Sequence, residues 1–307
     1  MTCIDRPRFT VEVTPSSSAP EGQGIIGLGP RFGSVVLAAL NSSAGDPPID
    51  RIFSQDTSIP NFISVLLSRP DDTYETYTGE LTISEILPEF QSISNQPKVP
   101  VSVLQSTSRF SPNQHFSILL DSDGIIGPDG NPIKTISNAS ATPSHDQSQL
   151  QIVFDTTTLG FPYLNCPSGW LFYCFVFSNA EHGTFNRHVV SAIYSGAKGA
   201  HLVNETSLGG DVWIVDCDAE INVAFKIGGQ SYPIHPLDVT REFVDSNGEK
   251  SCLGTVRVAS PQSSVCQSDQ RAFKFQPKTS GVLNPTFDGI LGMTFCKRTA
   301  RFTVSVR

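Results

Sequence analysis

Basic runs, long apolar stretches and paired cysteine motifs are all missing from this 307-residue sequence. Lys and Arg together number 21 against 29 Asp and Glu, giving a net charge of -8 and an isoelectric point of about 5.2. Phosphate neutralisation needs clustered cations, so no nucleic-acid partner is expected. The longest apolar run, Leu171 to Phe177, falls far short of the ~20 residues a membrane helix needs, so no membrane span is expected. Residues 1–20 lack a positive stretch followed by an apolar core, so no signal peptide is expected in them. The seven cysteines form no pair of CxxC motifs, and His115, His145, His182, His188, His201 and His235 are scattered without HExxH. No metal and no cofactor is therefore expected. A G-x-S-x-G nucleophile elbow is also absent.

What is present is a chain too apolar for general disorder: only 16% of its residues are charged, 38% are hydrophobic, and 20 are Phe. Its length suits two domains or one large one, at roughly 100–200 residues per domain. Strand-like stretches alternate with Gly, Pro, Asn and Asp: Arg8–Thr14, Glu80–Ile86, Val99–Leu104, Phe116–Leu120, Leu150–Phe154, Val212–Val215, Ile221–Ile227 and Phe302–Val306. Ile221, Val223, Phe225 and Ile227 alternate with smaller or polar residues, which marks one buried strand face. Gly228-Gly229 after them signals a hairpin turn. Ser34–Leu40, Pro60–Leu67 and His188–Ala197 are the helix candidates. Short strands with 24 Gly and 22 Pro predict an all-β fold rather than alternating βα units. A first strand at Arg8 predicts that the sequence starts part-way into a domain. The N-x-[ST] triplets at Asn41, Asn138 and Asn204 suit a secreted glycoprotein, although such triplets also arise by chance in a Ser/Thr-rich chain.

A weak internal repeat frames paired aliphatics with glycines. Gly24-Ile25-Ile26-Gly27-Leu28-Gly29 is echoed by Asp288-Gly289-Ile290-Leu291-Gly292, and less well by Asp123-Gly124-Ile125-Ile126-Gly127. Two good copies suggest a duplicated lobe. Between them, Gln151-Ile152-Val153-Phe154 leads into Asp155-Thr156-Thr157-Thr158. A carboxylate at a strand end beside hydroxyls can serve as a general acid or base. The same residues also suit a turn in which Asp bonds its own backbone, and on their own they favour the turn.

In their order, these blocks resemble the pepsin-like aspartic peptidases, particularly the secreted fungal type, over nearly the whole chain. Gly24–Gly29 is similar to the apolar-Gly block late in the N-terminal lobe. Phe53-Ser54-Gln55 followed by Phe62–Leu67 resembles the helix and strand after it, and Gly79–Ile83 the strand closing that lobe. Phe116–Asp121 resembles the first long strand of the C-terminal lobe, and Val153–Thr158 the second Asp-Thr-Gly-Thr loop. Asp216-Cys217 through Cys252-Leu253-Gly254 resembles the C-lobe disulfide region, and Phe287–Gly292 the final apolar-Gly block. The resemblance implies a bilobal all-β fold, with an incomplete N-terminal lobe in 1–92 and a largely complete C-terminal lobe in 93–307. It implies an Asp dyad sharing one proton to activate water against a peptide bond, with polypeptide substrates or inhibitors as partners. Asp155 is then the catalytic carboxyl of the C-terminal lobe, Thr156 and Thr158 support it, and Cys217 pairs with Cys252. The compartment implied is extracellular or vacuolar.

Three departures shape the expected activity. No Asp-Thr-Gly or Asp-Ser-Gly precedes Gly24, and Asp56-Thr57-Ser58 reads as a helix start rather than a substitute. Thr157 stands where the family has Gly, and its β-branched side chain resists the close approach of two active loops. Residues 165–186, rich in aromatics, have no counterpart in the family and read as a retained intron or a surface insertion needing a cover. Cys166 and Cys174 lie within it, and Cys3, Cys266 and Cys296 have no assigned partner. The expectation is an endopeptidase homologue impaired or inactive as this chain. The alternatives are a non-catalytic peptide- or inhibitor-binding protein, or two chains each contributing an Asp155 to a symmetric pair. The oligomeric state is left open.

Overall fold

The computed structural model describes residues 28–31, 34–66, 80–101, 116–137, 146–154, 183–205, 210–244, 248–259, 287–292, 295 and 302–305. In chain order these form α1 (Val35–Leu40), α2 (Pro48–Gln55), β1 (Phe62–Leu66), β2 (Glu80–Ile83), β3 (Phe116–Leu119), β4 (Ile125–Ile126), β5 (Gln151–Phe154) and β6 (Gly183–Phe185). There follow α3 (Arg187–Tyr194), β7 (His201–Glu205), β8 (Gly210–Val215), β9 (Ala224–Ile227), β10 (Gln230–Pro233), α4 (Pro236–Val239), β11 (Thr240–Val244), β12 (Lys250–Gly254), β13 (Val256–Val258), β14 (Gly289–Leu291) and β15 (Phe302–Ser305). Strands dominate, and no described α-helix exceeds eight residues, in keeping with the all-β expectation. The expected strand at Arg8–Thr14 lies outside the described residues.

Local chemistry sets the helix ends. Ser34 precedes α1, and its hydroxyl accepts the Leu37 N–H at 3.1 Å. Asn186 does the same for α3, accepting the Val189 N–H at 3.0 Å. Each side chain satisfies a donor that a first helical turn leaves free. Pro48 opens α2, where a missing N–H costs nothing. Ile49 and Phe53, four residues apart on α2, pack with Ile63 in a small core.

Three sequence expectations are corrected here, the first being that the last residues of the expected insertion 165–186 are not surface: Gly183–Phe185 is β6, buried between β13 and β14, and Asn186 caps α3. The helix expected at Pro60–Leu67 is not found among its described residues: Phe62–Leu66 is β1, the strand that the resemblance implied, paired antiparallel with β2 on one side and β15 on the other. The β-branched pair Ile63 and Val65 suits a pleat, and pairing on both edges holds the strand although its buried residues, Ile63 and Leu66, do not alternate. Asp56 does not start a helix but follows one. Its Oδ1 accepts the Ser58 N–H at 2.9 Å and the Ser58 hydroxyl at 2.6 Å, a local turn between α2 and β1.

The larger core lies between a five-stranded sheet, ordered β13-β6-β14-β5-β3, and the elements packed on its apolar face. A four-stranded sheet, β11-β12-β8-β7, and a three-stranded one, β10-β9-β4, complete this part. The alternating run behaves as its period requires: Ile221, Val223, Phe225 and Ile227 are all buried, although regular pairing begins only at Ala224. Gly228 and Gly229, at φ 59° and 81°, close the β9–β10 hairpin in a conformation that other residues resist. The Asp121 carboxylate accepts both their N–H groups, at 2.9 and 2.7 Å, and so fixes the turn to the end of β3.

Tyr194 ends α3 inside this core, fully buried. Its hydroxyl donates to the Val239 carbonyl at 2.8 Å and accepts the Val256 N–H at 3.0 Å, joining α4 to β13. Burial pushes its pKa up to about 12. Tyr194→Phe should cost about 1–3 kcal/mol at neutral pH, because both backbone groups lose their partner. A raised pKa means the folded state keeps a proton that the unfolded chain gives up. The wild-type advantage should therefore hold below about pH 10 and shrink toward pH 12. Urea unfolding of both proteins across this range measures it. An advantage that does not change with pH would refute the assignment.

Candidate functional site

The strand leading to Asp155 is interior to its sheet. In β5, Gln151, Ile152 and Val153 are buried and Phe154 is half-buried. β3 pairs antiparallel with β5 on one side, and β14 pairs parallel on the other. The β14 register sets Gly289 beside Ile152, Ile290 beside Val153 and Leu291 beside Phe154. The two strands thus finish level, and the chain continues toward Asp155 and toward Gly292 from one end of the sheet. β3 begins at that end, with Phe116 opposite Phe154. Asp155, Thr156, Thr157 and Thr158 themselves lie outside the described residues.

The opposite end of the pair is locked by a buried carboxylate. Asp288 Oδ2 accepts the Gln151 N–H at 2.9 Å and the Ser137 hydroxyl at 2.6 Å. The Asp288 N–H in turn donates to the Gln151 carbonyl at 2.8 Å. Charge-assisted bonds of this kind are about twice as strong as neutral ones, and burial makes each expensive to lose. Beside this carboxylate, Gly289 lies against the Phe185 ring, and a Cβ there would come within 2.4 Å of Phe185 Cε1. Only glycine admits that approach. Aromatic rings fill the core under the strands: Phe154 lies 6.0 Å from Phe295, Phe295 meets Phe225 edge-on at 5.4 Å, and Phe225 stacks on Phe185 at 5.7 Å.

The other face of the same sheet mixes polar side chains with the apolar Val153, Leu119 and Ile290. Gln151 donates through Nε2 to the Ser117 hydroxyl at 3.0 Å, and Thr184 stands beside Arg257 in the parallel β6–β13 pair. Thr184 Oγ1, Gln151 Oε1, and Nε and Nη1 of Arg257 are buried and meet no hydrogen-bond partner among the described residues. Desolvation lowers the Arg257 guanidinium pKa below its ordinary value. Each such group costs stability, on the order of 1–3 kcal/mol.

Cys217 and Cys252 form a disulfide, as the resemblance implied. It ties the turn after β8 to β12, where Cys252 already pairs with Val215. A bridge spanning 35 residues contributes about 2–4 kcal/mol by constraining the unfolded chain. A shallow cavity of about 410 Å³ adjoins it, lined by Gly199, His201, Asp216 and Lys250 among others. Lys198 bonds Asp218 at 2.8 Å, which holds that exposed carboxyl below its usual range. A second, far smaller cavity lies between β1, β2 and the 3-10 turns at Pro88–Asn95. Neither is lined by residues at the β5–β14 end.

Among the described residues no group of three or more His, Cys, Asp or Glu could hold a metal, and no helix is long and apolar enough to cross a membrane. Sequence reasoning singled out the block at Asp288 but gave its carboxylate no role. Its partner Ser137 lies 151 residues earlier, so no local pattern connects them. Tyr194 was passed over as an ordinary helix residue for the same reason.

Asp288→Asn keeps the size of the side chain but removes the charge and sets an amide among donors. It should destabilise the fold by about 1–3 kcal/mol in chemical denaturation, and more than Ser137→Ala does. Equal stability of Asp288→Asn and wild type would show that the carboxylate does not lock the strands. Comparison of the chain with protein-family models and with curated proteins finds no match in either.

Proposed function

We propose that this chain is a pepsin-like aspartic endopeptidase homologue that carries one carboxyl of the catalytic pair, Asp155, and does not complete the pair alone. The observation that carries the reading is the level, parallel pairing of β5, which leads into Asp155, with β14, the Gly-Ile-Leu strand before Gly292. A bilobal enzyme needs its carboxyl at the end of a strand that cannot shift, and an interior strand locked by Asp288 meets that need. The Cys217–Cys252 bridge supports the same reading.

In such an enzyme two carboxyls brought close cannot both ionise, so they share one proton. The ionised member draws a proton from water, and the protonated member donates to the carbonyl oxygen of the peptide under attack. Asp155 supplies one of these positions, with Thr156 and Thr158 bracing its loop. The body around it is then a C-terminal lobe over 93–307, with 1–92 the remainder of an N-terminal lobe. Polypeptides are the substrates or inhibitors, met in an extracellular or vacuolar setting.

A second reading, a peptide-binding protein without catalysis, is favoured by Thr157 in place of glycine. Binding of pepstatin, whose hydroxyl mimics the tetrahedral intermediate, separates the two. The homologue reading expects the purified chain to bind pepstatin at acid pH, Asp155→Asn to weaken binding about 100-fold or more, and neither protein to cleave acid-denatured protein alone. Binding unaffected by Asp155→Asn would favour the second reading. Absence of pepstatin binding would remove the first.

A further inference from the structure

We infer that Asn41 is an N-glycan acceptor and that Asn204, which carries the same triplet, is not. Asn41 follows the last residue of α1 in the left-handed conformation, φ 46° and ψ 39°, and its backbone N–H caps the helix by donating to the Leu37 carbonyl at 2.8 Å. Residues 41–44 are all exposed, so the side-chain amide and the Ser43 hydroxyl of the triplet both face solvent. A bulky, solvated glycan fits such a turn without disturbing packing. The neighbouring Val36 and Leu40 of α1 are exposed apolar residues, which a sugar at Asn41 would shield.

Asn204 differs in its chemistry. It lies within β7, paired with Asp211 of β8, and its Nδ2 donates to Asp211 Oδ1 at 2.5 Å. Asp211 also forms an ion pair with Arg187. The amide nitrogen that would attack the sugar is thus held against a carboxylate. Asn204 is itself exposed, so the bond to Asp211, and not burial, is what sets it apart from Asn41.

The step transfers an oligosaccharide from a lipid-linked oligosaccharide diphosphate. The Asn41 amide nitrogen bonds to C1 of the first sugar, the bond from C1 to the diphosphate oxygen breaks, one amide proton is lost, and the lipid diphosphate leaves. It requires entry into an oxidising, secretory compartment, which the Cys217–Cys252 disulfide supports. The inference stands apart from the peptidase reading and does not fail with it.

The chain, directed behind a cleavable leader, is translated in the presence of microsomes, and its glycans are counted by mobility before and after endoglycosidase. Asn41→Gln should remove one glycan, and Ser43→Ala should remove the same one while leaving the Asn41 cap intact. Asn204→Gln should remove none. An unchanged count in both Asn41→Gln and Ser43→Ala, or a glycan lost in Asn204→Gln, would overturn the assignment.

Discussion

The Asp288 carboxylate, buried between the starts of two parallel strands, is the contact on which the candidate site depends. It accepts from the Gln151 backbone and the Ser137 hydroxyl, while its own backbone N–H returns a bond to Gln151. A parallel pair has no tight turn to set its register. Here a charged acceptor and a glycine against Phe185 set it instead. With one end pinned, the other end of β5 delivers the chain to Asp155 from a fixed position beside β14.

The rest of the larger core supports that seam. Four phenylalanines, Phe154, Phe295, Phe225 and Phe185, run through it in ring contact, and each fully buried ring contributes about 1.5–3 kcal/mol. Tyr194 adds two hydrogen bonds where α3, α4 and β13 meet. These contributions offset the polar groups of the sheet's other face that meet no partner among the described residues, Arg257 and Thr184 among them.

Much of the fold was legible because it rests on short-range rules. The Gly228-Gly229 turn, the alternation from Ile221 to Ile227 and the helices expected at Ser34–Leu40 and His188–Ala197 are local, and the structure holds a hairpin, a buried face and two short helices there. Phe62–Leu66 read as a helix from its residues and as a strand from the resemblance, because four apolar residues and a serine fit either period; pairing on both edges decided for the strand. The disulfide was reached through resemblance, since seven cysteines alone leave the pairing open. Asp288 with Ser137, and Tyr194 with Val239, join residues far apart in sequence, which no local pattern encodes. The loop at Asp155 was legible only as a strand end and a motif.

Native-state hydrogen exchange at the Gln151 and Asp288 amides tests the central claim most directly. Both are buried donors in the seam, whereas Leu120, which donates to the Leu150 carbonyl, reports on the core beside it. The account predicts that the Gln151 and Asp288 amides open only with the whole core, at the same free energy as Leu120. Exchange at those two sites through local opening, with Leu120 still protected, would contradict it.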